Sequence, residues 1–385
     1  MRIKPFFFTV MPLTILLFQG CGDPFSNDLL REDARFLSAA PDAQVLQVKL
    51  PEQGTIAMNK TRQPLVLSDD GGRTGDDQFN DCAGSASNGG RALWYCFTDN
   101  FTHDVNQGVL GFLDLVDKVL EYPPSARANN RRIWGPWPGE EKDATDFRFE
   151  MERCEPGTEQ AEDWCKEPPN GCKLGNDRVF YAYALEVRSK QKRNLSSDQG
   201  WVKAMQGLSV PFEGTRYGCG NLDFDVDRVA SEDPTEKGKG SLLVQYDTRP
   251  PQADQSIGEY VKIDIVFNQF LPGDADEGTE PVDAQYNYLL ENDRSGQFAY
   301  ETRADLDENN PLRSAKEKLE IVTRWNTFGA GRGDVRISKG DLKDMVAYSH
   351  ECWNQDFGRV YYEDTFGFQP KEGDEALCEF ESWTF

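Results

Sequence analysis

The sequence predicts a mainly β fold of the α+β class: a large curved antiparallel meander or barrel-like sheet with one amphipathic helix packed on it. Three observations carry this expectation. Apolar residues recur at period 2 in ten short runs, turn-forming residues separate several of those runs by only a few positions, and a single segment repeats its apolar residues at the helical period.

In chain order, residues 21–60 are short of aromatics and read as a tether with one strand near 45–50. A loop rich in Gly, Asp and Ser follows at 68–90. The helix comes next. Phe101, Val105, Val109, Phe112, Leu113, Val116 and Leu120 fall on one face, with Asp104, Asp114, Asp117 and Lys118 opposite, which predicts a helix over about 100–121. Thr98 to Asn100 offer capping side chains, and Pro123 and Pro124 end it.

Beyond the helix the period changes to 2. In EYVKIDIVF (259–267), Val261, Ile263, Ile265 and Phe267 alternate with Lys262 and Asp264, the pattern of a strand with one face buried. Similar runs occupy 146–151, 179–187, 222–227, 241–247, 285–290, 296–304, 319–325, 334–338 and 359–364. Connections such as ENDRSG are too short for parallel crossovers, so neighbouring strands run antiparallel. GAGRGD (329–334) lies between two strands and reads as a hairpin turn, because no helix follows to bind a phosphate. Residues 61–385 are therefore expected to form a single disulfide-braced antiparallel β domain.

The first twenty residues belong to a different problem. Arg2 and Lys4 precede an apolar stretch that Pro5 and Pro12 interrupt and that is short for a membrane span. Its end, Leu16-Leu17-Phe18-Gln19-Gly20-Cys21, resembles the bacterial lipobox. That resemblance implies a lipoprotein signal peptide over 1–20, diacylglycerol and palmitate-type acylation of Cys21, and a membrane held through the N-terminal lipid. Gly22, not Asp, follows the cysteine, and similarity to the enteric sorting pattern implies the outer membrane, on either its periplasmic or its surface face.

The formal charge of −24 becomes −26 when Arg2 and Lys4 leave with the signal. Such a surface repels phosphate backbones, so nucleic acid is excluded as a partner. With Cys21 set aside, Cys82, Cys96, Cys154, Cys165, Cys172, Cys219, Cys352 and Cys378 form an even set, which in an exported chain predicts disulfides. Loop-closure entropy favours neighbours, pairing Cys82 with Cys96 and Cys352 with Cys378, while the other four remain open. Cys165 and Cys172 lack zinc-knuckle spacing and only two histidines are present, so no metal site is expected.

Asp223, Asp225 and Asp227 start like a calcium loop. Arg228 stands where its glycine belongs and Pro234 where its bidentate glutamate does, so a solvated acidic strand face is expected. Asp305, Asp307 and Asn309 fail in the same way, with Lys316 at the last position, and Asp69, Asp70, Asp76 and Asp77 leave irregular calcium binding open. No serine elbow, zinc-protease motif, P-loop or dinucleotide pattern occurs, so no catalytic residue or cofactor is assigned. His350 stands beside Glu351 and Cys352; adjacent strand residues point to opposite faces, and Cys352 reads as a disulfide partner. His103, beside Asp104, reads as solvated. The aromatic sets Trp134 with Trp137, Tyr181 with Tyr183, Tyr286 with Tyr288 and Tyr361 with Tyr362 suit core ladders, or the lining of a sugar or lipid site.

The succession of helix, WGPW, GCGNLDFDVD, GSLLVQYD, the turn at 325–335 and the HECW tail resembles predicted lipoproteins of Gram-negative bacteria that carry no assigned activity. The expectation is thus an outer-membrane lipoprotein of the cell envelope with a non-enzymatic structural or binding role, meeting an envelope protein or a hydrophobic ligand. Two alternatives stand beside it: a carrier holding lipid or another hydrophobic ligand between sheet and helix, and a hydrolase working through paired carboxylates.

Overall fold

A computed structural model describes residues 27–51, 92–138, 144–155, 165, 172, 179–212, 215–252, 257–271, 280–304, 315–365, 367 and 369–385. Helices α1 (Asn27–Ala39) and α2 (Leu93–Leu120) precede strands β1 (Ala126–Arg127), β2 (Arg131–Pro138), β3 (Thr145–Cys154), β4 (Phe180–Ser189), β5 (Val202–Pro211) and β6 (Gly218–Asp225). A short helix α3 (Val226–Glu232) leads to β7 (Lys239–Arg249), β8 (Tyr260–Leu271), β9 (Val282–Leu290), β10 (Gly296–Ala304), β11 (Glu317–Trp325), β12 (Gly331–Lys339), β13 (Val346–Trp353), β14 (Arg359–Asp364) and β15 (Glu372–Gly373). The fifteen strands are hydrogen-bonded in sequence order, each antiparallel to the next. This is the predicted meander. It is not closed into a barrel, since β1 and β15 remain its two edges.

The chain divides into two compact units. One holds β7–β15 with segment 46–51 and the first part of α2; the other holds α1, the rest of α2 and β1–β6.

In the β7–β15 unit, alternation sends Val244, Ile263, Ile265, Tyr286, Phe298, Ile321 and Val335 to one buried face. Leu93 and Trp94 of α2 cluster there with Ile321, Val335 and Tyr362. Gly333 makes room for the indole: a Cβ at this position would stand 2.7 Å from the Trp94 Cβ.

The helix begins at Leu93, ahead of the predicted start, because its cap is not local. The Trp94 N–H donates to Glu351 Oε2 on β13 at 2.6 Å, occupying a donor that a helix start otherwise leaves open. Burial pushes the Glu351 carboxyl above its ordinary pKa, against the opposing pull of Arg359, whose Nε lies 2.6 Å away. Thr98, expected as a cap, sits inside the helix, donating to Trp94 O at 2.7 Å and meeting Thr323 Oγ1 at 2.8 Å.

The strand predicted near 45–50 is absent from the sheet. Side chains replace the ladder: Asn106 bonds both the N–H and the C=O of Val48, at 2.9 and 2.8 Å, and Tyr288 Oη bonds those of Lys49.

In the other unit, Trp134, Phe149, Met151 and Tyr183 are buried. Helix α1, which lies in the stretch expected as a tether, sets Phe36 edge-on to Tyr181 at 5.2 Å, with the Arg132 guanidinium 4.7 Å from the Phe36 ring centroid. Asp33 and Glu32 pair with that arginine at 2.7 and 2.9 Å. The run predicted as strand to 227 turns helical at Val226, since Asp225 caps α3 by accepting from the Arg228 N–H at 3.1 Å.

Candidate functional site

Three polar sets lie on the sheet, the first two on the face opposite the β7–β15 core and the third on the face it shares with Cys154, Phe180 and Ala182. The first is open to solvent. Gln245 of β7, Lys262 and Asp264 of β8, and Gln285 and Asn287 of β9 line, with Leu243 and Val266, a depression of about 370 Å³. Asn287 Nδ2 donates to Asp264 Oδ1 at 2.6 Å, and Lys262 Nζ lies 3.2 Å from Oδ2. Both oxygens of Asp264 are thereby engaged, and the two glutamine amides add further donors and acceptors. This arrangement can hold a polar group by hydrogen bonds. No serine, cysteine or histidine stands among the lining residues.

The second set is on β11–β13. Asp334 is fully buried and accepts from Arg332 Nε at 2.8 Å, Arg324 Nη2 at 3.1 Å and the Trp383 N–H at 3.2 Å, with His350 Nδ1 at 2.7 Å. Burial alone would raise its pKa; the bonds to His350 and Arg332 overcome that and hold the carboxyl below its ordinary range. An aspartate orienting a histidine supplies two of the three members of a catalytic triad. His350 and Cys352, two residues apart, share this face, whereas Glu351 between them points to α2; Cys352 is bonded to Cys378 and so supplies no nucleophile. The GAGRGD segment contributes more than a turn, since Arg332 and Asp334 lie within β12 and the turn ends at Ala330.

The third set is on β3 and β4. Arg148 pairs with Glu186, Arg131 with Glu150 and Arg193 with Asp146, each at 2.5 Å. Trp201 lies between two guanidinium groups, 4.6 Å from Arg148 Cζ and 4.4 Å from Arg188 Cζ. Burial raises the Glu150 pKa, against Arg131, and the neighbouring Glu186 adds to the rise. A carboxylate-dependent hydrolase needs two carboxyl groups free to act on a substrate. Glu150 and Glu186 are each buried and paired to an arginine, an arrangement suited to cohesion.

The seven described cysteines are all disulfide-bonded. Cys352–Cys378 forms as expected, and the pairs left open by the sequence resolve as Cys154–Cys165 and Cys172–Cys219, next to Phe180, Ala182 and Val210. Cys96 is bonded too, while Cys82, its expected partner, and Cys21 lie outside the described residues. So do the aspartates at 69–77 and 305–307 and the side chain of His103.

Asp223, Asp225 and Asp227 do not converge. Asp225 is a helix cap, and burial raises the pKa of Asp223, with Arg228 opposing. Among the described residues no group of three or more His, Cys, Asp or Glu is placed to hold a metal, and no helix is long and apolar enough to cross a membrane. The aromatic pairs are largely core: Trp134, Tyr181, Tyr183, Tyr286, Tyr288, Tyr361 and Tyr362 are all buried. Arg324, Arg332, Asp334, Arg148 and Glu186 were not signalled by the sequence, since charges at alternate strand positions look like a solvated face. No protein-family profile, curated protein or solved structure matches the chain.

Proposed function

We propose that the protein is a lipid-anchored lipoprotein of the cell envelope, held on the outer membrane through Cys21, with a structural or binding role. The observation that supports this most is that all seven described cysteines are in disulfides, which persist in oxidising compartments outside the cytosol. The lipobox-like 16–21 supplies the anchor. The depression around Lys262, Asp264 and Asn287 presents hydrogen-bonding groups to a polar group of a partner. A lipid carrier draws less support, because at the described start of α2 Phe101 packs 4.3 Å from the Tyr300 ring, and on the sheet face Tyr286 lies 6.0 Å from Phe298. A hydrolase draws less as well, its carboxylates being tied to arginines.

Metabolic labelling with a palmitate analogue tests the anchor. Wild type is expected to take up label and Cys21→Ser to take up none. An unlabelled wild type, or equal labelling of the two, overturns it.

A further inference from the structure

Residues 374–385 lie across the outer face of β11–β13, and they are held there unlike any strand. Their own backbone hydrogen bonds are internal: the Leu377 N–H donates to Asp374 O and the Cys378 N–H to Glu375 O, both at 3.0 Å. Every hydrogen bond to the sheet uses a side chain of the face below. Arg332 reaches Glu375 Oε1 at 2.9 Å and Phe380 O at 3.3 Å, Arg324 reaches Glu381 O at 2.5 Å, and Asp334 accepts from the Trp383 N–H at 3.2 Å. Aromatic rings complete the hold. The Arg324 Cζ lies 5.2 Å from both the Phe380 and Trp383 centroids, and Arg336 Cζ lies 4.9 Å from that of Phe385. The covalent tie is Cys352–Cys378.

Two consequences follow from this geometry. Lifting the segment breaks no ladder bond between strands, so the sheet survives its departure. It also uncovers Arg324 and Arg332, which share the single carboxylate of Asp334, and Arg336, which pairs with Glu320, so that three guanidinium groups face two carboxylates and one positive charge is in excess on a chain of formal charge −24. The chemistry that satisfies these guanidinium groups is on display in the closed state: a carboxylate, backbone carbonyls and aromatic rings over guanidinium planes.

We propose that residues 374–385 are a thiol-controlled strap over a receptor face for an acidic, aromatic peptide. A dithiol reductant opens it: one thiolate attacks the Cys352–Cys378 bond, the second displaces the mixed disulfide, and two electrons and two protons pass to the protein as the reductant becomes a disulfide. The strap then leaves, and a peptide segment of a partner with the same acidic and aromatic character takes its place.

The test uses the full chain carrying Cys352→Ser and Cys378→Ser. Native-state hydrogen exchange is expected to show the amides of Leu377, Cys378→Ser and Trp383 exchanging at least tenfold faster than in wild type, with the β11–β13 ladder amides unchanged. A fluorescent peptide of sequence 374–385, bearing Ser for Cys378, is expected to bind the double variant and not disulfide-closed wild type, and Arg324→Ala is expected to abolish that binding. Strap amides that stay slow, ladder amides that quicken with them, or equal peptide binding to wild type each overturn the proposal. Should the double variant not fold, wild type is reduced with dithiothreitol in native buffer and alkylated. Labelling of Cys352 and Cys378 with the far-ultraviolet circular dichroism retained supports the strap; reduction that proceeds only with unfolding overturns it.

Discussion

The β3–β4 face and the β11–β13 face solve one problem in opposite ways. Both bury charged side chains on one sheet face, and both use arginine against an aromatic ring. On β3–β4 one ring, Trp201, lies between two arginines; on β11–β13 one arginine, Arg324, serves two rings, Phe380 and Trp383. The covers differ more. Trp201 arrives on the loop that directly follows β4, whereas Phe380 and Trp383 come from far along the chain and are tied by a disulfide spanning 26 positions. A short local loop loses little entropy on docking, and a distant segment loses more. Of these two covers, Trp201 is held by its neighbouring connection and the remote segment carries the disulfide.

The carboxylates of the two faces also diverge, and this gives the largest expected effect. Asp334→Ala strands buried Arg332 together with Arg324 and His350, and is expected to lower unfolding stability in urea by about 3–5 kcal/mol. Glu150→Gln keeps a hydrogen-bonding side chain where burial already favours the neutral form, and is expected to cost within about 1 kcal/mol. Equal losses would break the comparison. Acid separates the faces further, because the folded-state pKa of Asp334 lies below its unfolded value and that of Glu150 above. The stabilisation from Asp334 is present above the ordinary carboxylate range and is lost as pH falls through its depressed value. For Glu150 the sign reverses, since the folded state binds the proton more readily and gains on acidification. Thermal unfolding between about pH 3 and about pH 7 should find Asp334→Asn less acid-sensitive than wild type and Glu150→Gln more so. Parallel profiles would remove the distinction.

The rings give a smaller contrast. Trp201→Ala removes a ring shared by two guanidinium groups and is expected to cost about 1–2 kcal/mol; Trp383→Ala, partly exposed and touching one, is expected to cost less than about 1 kcal/mol. Denaturant midpoints of the two variants check the order, and a larger loss at Trp383 would reverse it.

How far these features were legible depends on the range of the interaction. Strands with one apolar face announced themselves: β10 spans 296–304 and β14 spans 359–364, as the alternation predicts. β2 was hidden because Gly135, Pro136 and Pro138 interrupt its pattern, and β5 because Lys203, Gln206, Gly207 and Ser209 blunt its alternation. In α1 the signal was present, with Leu29, Leu30, Phe36 and Leu37 at helical spacing, and was outweighed by the polar residues around it. The start of α2 could not be read locally, since its cap comes from Glu351. The buried charges of the outer faces were illegible for a related reason. Nothing near Arg332 or Asp334 in the sequence says that residues 374–385 will cover them.

The consecutive order of the strands bears on the timing of assembly. A meander in which every strand pairs with its sequence neighbours can close hairpin by hairpin as the chain emerges, and contacts of this kind form quickly. The first turn of α2 stands outside that rhythm: the Trp94 amide waits for a carboxylate 257 positions downstream. Pulse-labelled hydrogen exchange during refolding should therefore find the β8–β10 amides protected before that of Trp94. The helix that begins early in the chain acquires its beginning late in folding.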